Sequence, residues 1–253
     1  MDSLVKYPVA VLALSFFAMW LSARIGLSFG KSKTNLEEYD RQDLDVIVAG
    51  SLTLLGLIIG FSFSMAITRY DQRKTYEEAE ANAIGTEYVR ADLLPASQAE
   101  KVRALLKPYL DQRILFYQTR DERELQKINA RTAQLQSELW STVTRPTAAE
   151  QTAVLALAVS GMSDVLNSQG YTQAIWWNRI PAGAWLLMAA VAICSNLLVG
   201  YSTRRPRAGI IRIMVLPFVL CIAFFAIADI DSPRRGLIRV HPQNLISLVQ
   251  SLH

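Results

Sequence analysis

Gly56 and Gly60 stand four residues apart in the uncharged apolar run 46–68, and Ser64 continues the same ridge. On a helix this spacing stacks three small side chains on one face, and such a face lets a second helix approach closely in lipid. The same face suits a second chemistry. Small and hydroxyl-bearing residues line a water-filled path through an oligomer, with Ile59, Phe61 and Phe63 narrowing it to an apolar constriction that gates by dewetting. With Ser62, these residues form the candidate pore-lining set.

A second group of candidates is charged. Arg69, Asp71 and Arg73 follow this run, and Asp229, Asp231, Arg234 and Arg235 follow the last apolar run. Charges at span ends ordinarily act as interfacial anchors. The two ends share a side of the membrane if an even number of crossings separates them. Arg69 or Arg73 would then pair with Asp229 or Asp231 as a clamp at a pore mouth, or the arginines would concentrate anions there. Further on, Ala79, Ala83, Thr86 and Arg90 recur at helical spacing as a packing face, with Asn82 as a register-fixing polar residue. Glu77, Glu78 and Glu80 lack the glycine-bearing loop of a calcium site.

Other chemistries find no footing. Cys194 and Cys221 lie within apolar runs, and His241 and His253 lie near the C-terminus. No disulfide framework, paired zinc-ligand spacing or His-based triad is available. G-x-S-x-G, H-E-x-x-H, the P-loop and G-x-G-x-x-G are all missing, so no catalytic residue, metal ligand or cofactor site is assigned and an enzyme is not expected.

The elements that position these residues are membrane spans. The chain of 253 residues is 51% hydrophobic and 19% charged, above what a soluble core needs. A bilayer crossing takes about 17–25 apolar residues. Residues 7–23, 46–68 and 180–203 are uncharged runs of that kind, and 213–228 becomes one if 208–211 extend it while Arg212 snorkels. The first run exceeds a signal-peptide core and is followed by a second span, so it reads as a span. The fold expected is an all-α integral membrane protein with four transmembrane helices and a long helical region between the second and third. Its parts are 1–68 with two spans, 69–178 polar and helical, 179–230 with two spans, and an amphipathic tail 231–253. In the tail, Leu245, Ile246, Leu248, Val249 and Leu252 share one helical face, which docks on the polar region or lies on the membrane.

Within the polar region, Ser97 with Glu100 and Thr147 with Glu150 fit the S/T-x-x-E capping box. Together with Pro95 and Pro146 they predict helices over about 69–93, 98–144 and 148–177, with a kink at Pro108. Residues 68–93 contain no proline, so the first of these continues the second span as one helix of roughly 45 residues. Tyr171, Trp176, Trp177 and Trp185 suit a membrane interface.

The net charge of +4 is an arginine excess confined to residues 179–253, where 8 Arg face 2 Asp. These arginines flank apolar runs, as juxtamembrane charges do, so a nucleic-acid partner is not expected. The connecting loops carry Lys31, Lys33, Arg41, Arg204, Arg205 and Arg207, against Lys6, Arg234, Arg235 and Arg239 on the tails. That balance leans towards an extracytoplasmic middle region, and Arg69, Arg73 and Lys74 pull the other way.

The run Gly60-Phe61-Ser62-Phe63-Ser64-Met65-Ala66 with Arg69-Tyr70-Asp71-Gln72-Arg73 is followed by Glu80-Ala81-Asn82-Ala83-Ile84-Gly85-Thr86 and Arg90-Ala91-Asp92-Leu93-Leu94-Pro95. With Asp229-Ile230-Asp231-Ser232-Pro233-Arg234-Arg235-Gly236, these resemble a bacterial membrane family of unknown function described as having a bestrophin-like domain. The resemblance implies a distant relation to bestrophins, which are oligomeric anion channels with four spans, a helical cytoplasmic region and an aromatic-lined neck on the second span. Ile59, Phe61 and Phe63 are similar in kind to that neck, without its spacing, and no acidic calcium-clasp loop is recognisable. A cytoplasmic middle region is implied, against the loop charges. The expectation is a homo-oligomeric ion channel of the bacterial inner membrane, anions preferred, with the lipid bilayer and inorganic ions as partners. The alternative from another class is a non-conducting scaffold or sensor with a helical stalk.

Overall fold

The computed structural model describes residues 7–32, 38–149, 152–203 and 206–252, and among them every regular element is helical. Helix α1 covers Pro8–Ser32, with Pro8 at the first helical position, where its missing N–H costs nothing. Helix α2 covers Glu38–Arg90, 53 residues without a proline. At 1.5 Å per residue it is about 80 Å long, more than twice the roughly 30 Å of a hydrocarbon core. One helix therefore holds both an apolar half and the polar stretch after Thr68.

A 3₁₀ turn, Ala91–Leu93, ends this helix, and Leu94 turns extended because the ring of Pro95 disfavours a helical residue before it. Helices α3 (Ala96–Gln118), α4 (Glu122–Ala149), α5 (Ala153–Trp177), α6 (Ala182–Ser202), α7 (Pro206–Asp231) and α8 (Gln243–Ser251) follow. Among the described residues, four stretches are long and apolar enough to cross a membrane, Pro8–Gly30, Gln42–Leu93, Ala153–Ser202 and Ile213–Asp231. The third stretch takes in α5 as well as α6, and the uncharged run lies in α6.

The single helix expected over 98–144 is two helices. The chain leaves α3 at Thr119, which is extended, and α4 starts after Asp121, whose carboxylate accepts the Arg123 N–H at 2.9 Å. An acidic N-cap with Glu122 and Glu124 in the first turn starts a helix without any glycine or proline to announce it. The capping box expected at Ser97 does not form. Helix α3 already begins at Ala96, and the Ser97 hydroxyl donates to Gln98 Oε1 at 2.8 Å. Helix α4 runs through Pro146 and Thr147 to Ala149, and Glu150 lies outside the described residues. Thr152 caps α5 instead, its hydroxyl accepting the Leu155 N–H at 3.3 Å. The loop charges Lys33, Arg204 and Arg205, together with Lys6 and His253, also lie outside the described residues.

The chain forms two compact units. One comprises Met1–Thr68 and Arg179–Ile238; the other comprises Arg69–Asn178 and Arg239–His253. In the first, α1 packs on α6 and α7. A side chain at Gly26 would meet the Leu197 carbonyl, one at Gly30 the Tyr201 carbonyl, and one at Gly200 the Ala23 carbonyl. Ser22 completes the seam by donating to the Ile193 carbonyl at 2.7 Å. Ser22, Gly26 and Gly30 are thus a small-x-x-x-small ridge that brings two backbones together, the contact available where lipid removes the hydrophobic drive between helices. Leu14, Phe17, Leu57 and Phe218 point outward, as the faces of spans in lipid do.

In the second unit α3 packs on α4, α4 on α5 and α8 on α3. Leu106, Leu110, Phe116, Leu135, Leu139 and Met162 form the centre of its core.

Gly200→Val drives a side chain into the α1 backbone and is expected to destabilise the spanning unit by about 1–3 kcal/mol. Gly183→Ala, in the same helix with nothing within 4 Å of the added carbon, is expected to be neutral. Thermal unfolding in detergent reads both.

Candidate functional site

Helix α2 carries the candidate residues on different faces. At about 100° per residue, Leu55, Ser62 and Ala66 fall on one side, and all three are buried. Ser62 therefore turns into the spanning unit, away from the rest of the candidate lining set. Gly56, Gly60, Phe61, Phe63 and Ser64 are exposed, and Ile59 is half-buried. A side-chain carbon added at Gly56 or Gly60 meets nothing within 4 Å. The Gly56-x-x-x-Gly60 ridge is thus open within one chain, and the closely packed glycines are Gly26, Gly30 and Gly200. Opposite Ser62 lie Thr53, Gly60 and Ser64, a small, hydroxyl-bearing strip flanked by Phe63 on one side and Phe61, 63% exposed, on the other. Thr53 donates to the Ala49 carbonyl and Thr68 to the Ser64 carbonyl, each at 2.9 Å, so both hydroxyls keep an acceptor in an apolar surrounding.

Beyond Thr68 the buried stripe of α2 is charged. Arg73, Glu77, Glu80, Ile84 and Glu87 recur every three or four residues and are all buried. The face expected to pack, Ala79, Asn82 and Thr86, is exposed, and Ala83 is half-buried. The reason lies in what each acid meets. Glu80 pairs with the Arg113 guanidinium, both side chains fully buried. It also accepts from the Thr172 hydroxyl at 3.1 Å and the Tyr117 hydroxyl at 3.3 Å. A buried ion pair survives when its remaining lone pairs are satisfied in this way. Burial by itself lowers the Arg113 guanidinium, and the charge of Glu80 outweighs that and holds it above its ordinary value. Burial, reinforced by the Glu80 charge, pushes the phenols of Tyr109 and Tyr117 upward. Around the pair Phe116, Tyr117 and Trp176 make a mutual aromatic cluster with centroids 5.0–5.6 Å apart. Trp176 is therefore core, whereas Trp177 is 73% exposed.

Glu77 serves the C-terminal helix. Its Oε1 accepts the N–H groups of Asn244 and Leu245, each at 3.0 Å, and its Oε2 accepts the Asn244 side-chain amide at 2.6 Å. A carboxylate from α2 thus satisfies the orphan amides at the start of α8 and complements its dipole. Leu245 is buried and Leu248 sits against Gly85, so the amphipathic tail docks on the polar unit. Glu78 is exposed, on another side of the helix from Glu77 and Glu80.

The charges after the last span fold their own loop. Asp229 accepts the Leu237 and Ile238 N–H groups at 2.7 and 2.9 Å, and Asp231 accepts the Ile180 N–H at 3.1 Å. Gly236 leaves room for the Asp229 carbonyl. Arg235 lies over the Tyr7 ring at 4.3 Å, a cation–π contact, and Arg234 is half-buried. In the other unit Arg69 is half-buried, Asp71 exposed and Arg73 buried. Sequence reasoning missed Glu77 as a helix cap and the two aspartates as loop caps. An acid two residues from a second acid before Ser-Pro was the one local signal.

Comparison with known proteins places this arrangement. A family model described as Bestrophin-like domain matches residues 9–245. No curated protein matches by sequence. A crystal structure of a bacterial bestrophin homologue from Klebsiella pneumoniae, phased on zinc, is similar with a TM-score of 0.65 at 11% identity, covering 96% of each chain. A point-substituted form of that homologue gives 0.64 at 11% identity over 95% of this chain and 97% of that one. A structure described as a membrane protein gives 0.64 at 12% identity over 96% of both. At these identities the likeness is one of fold.

Glu80→Gln leaves the Arg113 charge buried without its counter-charge and is expected to cost about 3–5 kcal/mol of stability in the polar unit. Denaturant unfolding followed by the fluorescence of Trp176 measures it; a loss below about 1 kcal/mol would contradict the central place of the pair.

Proposed function

The chain belongs to the Bestrophin-like family, and we propose that it works as a homo-oligomeric ion channel of the bacterial inner membrane, with the exposed face of α2 lining the pore. It is a multi-pass membrane protein. The observation that carries the reading is the division of α2 into two faces. Its inner stripe is used by its own chain, while Thr53, Gly60 and Ser64 form an exposed, small and hydroxyl-bearing strip at the depth of the membrane. Lipid gives such a strip nothing beyond its own backbone acceptors, whereas a water-filled axis shared by several copies gives its hydroxyls further partners and its glycines a use. Phe61 and Phe63, with the half-buried Ile59, supply apolar bulk on both flanks for a constriction. The fold and family support this reading, and every buried acid of the polar unit except Glu87 is occupied with holding helices together.

Anion preference is the finer part of the proposal. It rests on the eight arginines against two aspartates in residues 179–253. Both aspartates accept backbone N–H groups, which offsets part of their charge. An arginine excess of this kind raises the local anion concentration.

Flux measured from the reconstituted oligomer tests both parts. Phe61→Ala or Phe63→Ala is expected to raise ion leak severalfold with assembly intact, and chloride is expected to pass faster than sodium. A variant that loses assembly while each remaining oligomer conducts unchanged would make the strip a packing seam. An intact oligomer passing neither ion would make the protein a scaffold or sensor.

A further inference from the structure

Glu87 stands apart from the other acids of the polar unit. It is fully buried, and neither carboxyl oxygen accepts a hydrogen bond from any described residue. The backbone of Gly161 on α5 lies directly over it, so that a side chain there would collide with Glu87 Oε2 and, at 2.7 Å, with Arg90 Nη1. Glycine at 161 is what lets the two helices close over the acid. With both oxygens shut off from solvent and unbonded, an uncompensated carboxylate here is costly.

Two charged groups face this acid. Arg90, one turn along α2, is near enough to favour ionisation, and Asp164 on α5 opposes it. Arg90 is shared: its Nη1 lies 4.0 Å from Asp164 Oδ2, with both side chains partly open to solvent. On the neighbouring 3₁₀ turn and α3, Asp92 and Arg103 are paired with each other, and Arg103 also donates to the Tyr88 carbonyl, so neither serves Glu87.

We infer that Glu87 is a proton-binding switch in the seam between α2 and α5. With the acid neutral, Arg90 is left to Asp164 and Gly161 closes over the carboxyl. Loss of the proton creates a negative charge that draws Arg90 inward from Asp164 and lifts α5 from α2 until the carboxylate is solvated. The equilibrium is Glu87–COOH to Glu87–COO⁻ plus one proton released to water, with no other reactant. Burial raises this carboxyl from 4.5 to about 8, against the pull of the Arg90 charge, which the smaller push of Asp164 partly cancels. The sign follows from a folded value above the unfolded one. The closed seam has its full stability below about pH 4.5 and loses it as pH rises through about 8. The inference does not depend on whether the assembly conducts.

The test uses the full chain in lipid nanodiscs, titrated across about pH 8. Infrared difference spectra read the protonated carboxyl, and hydrogen exchange corrected for intrinsic rate reads the protection of 153–177. The wild type is expected to lose one protonated-carboxyl band with that midpoint, and α5 to lose protection in step. Glu87→Gln, isosteric and always neutral, is expected to lack the band and keep α5 protected throughout. Asp164→Asn keeps the acid and removes its repulsion, so the midpoint is expected to move down. A wild-type band titrating in the ordinary carboxylate range, the same transition surviving in Glu87→Gln, or an unmoved midpoint in Asp164→Asn would overturn the inference. Each readout is independent of ion flux, so a silent channel and a silent switch are separate results.

Discussion

The fully buried pairing of Glu80 with Arg113 holds the polar unit in register. A carboxylate on α2 and a guanidinium on α3, 33 residues apart, are both removed from water, and each is stable there because the other is present. The hydroxyls of Thr172 and Tyr117 take up the remaining lone pairs from α5 and α3. Helices α3 and α5 are thereby tied to a single point on α2, which fixes the rotation of its polar stretch within this unit. Arg73, Glu77 and Glu87 repeat the same face at helical spacing. What α2 presents outward is the consequence. A stretch that spends its charges inward leaves Ala79, Asn82 and Thr86 outside.

The two units solve the same packing problem in different solvents. In water, apolar burial provides the drive, so the polar unit has a large core and can afford buried charges provided each finds a donor. In lipid that drive is missing, and the spanning unit relies on close backbone contact through Gly26, Gly30 and Gly200 with a hydroxyl bond from Ser22. Glycine has a third use at 161, where it admits a carboxyl group instead of a backbone.

The spans were legible because membrane thickness imposes a length on uncharged runs, and the long α2 because no proline interrupts it. The break at 119–121 was not legible, since Asp121 starts a helix by capping, without a residue that stops the previous one. Glycine spacing pointed to Gly56 and Gly60, which are open within the chain, whereas the close backbone contacts inside it are at Gly26, Gly30 and Gly200. Spacing reveals that a face is small; which partner arrives there depends on the rest of the fold. The inward acids were hidden for a related reason. Charge in a sequence reads as solvated, and Glu77 and Glu80 are buried only because donors come from 167 and 33 residues away. Ser62 joined the candidate lining by its neighbours in sequence, and helical geometry turns it to the other side.

The central claim is that the outward strip of α2 borders the ion path. Cysteine scanning of residues 53–67 tests it most directly, with an impermeant thiol reagent applied during flux in a background where Cys194 and Cys221 are replaced. Modification at Thr53, Gly60 and Ser64 is expected to change the flux, with Leu55 and Ser62 silent. Flux that responds at Leu55 and Ser62, or at none of these positions while the channel remains open, would contradict the account.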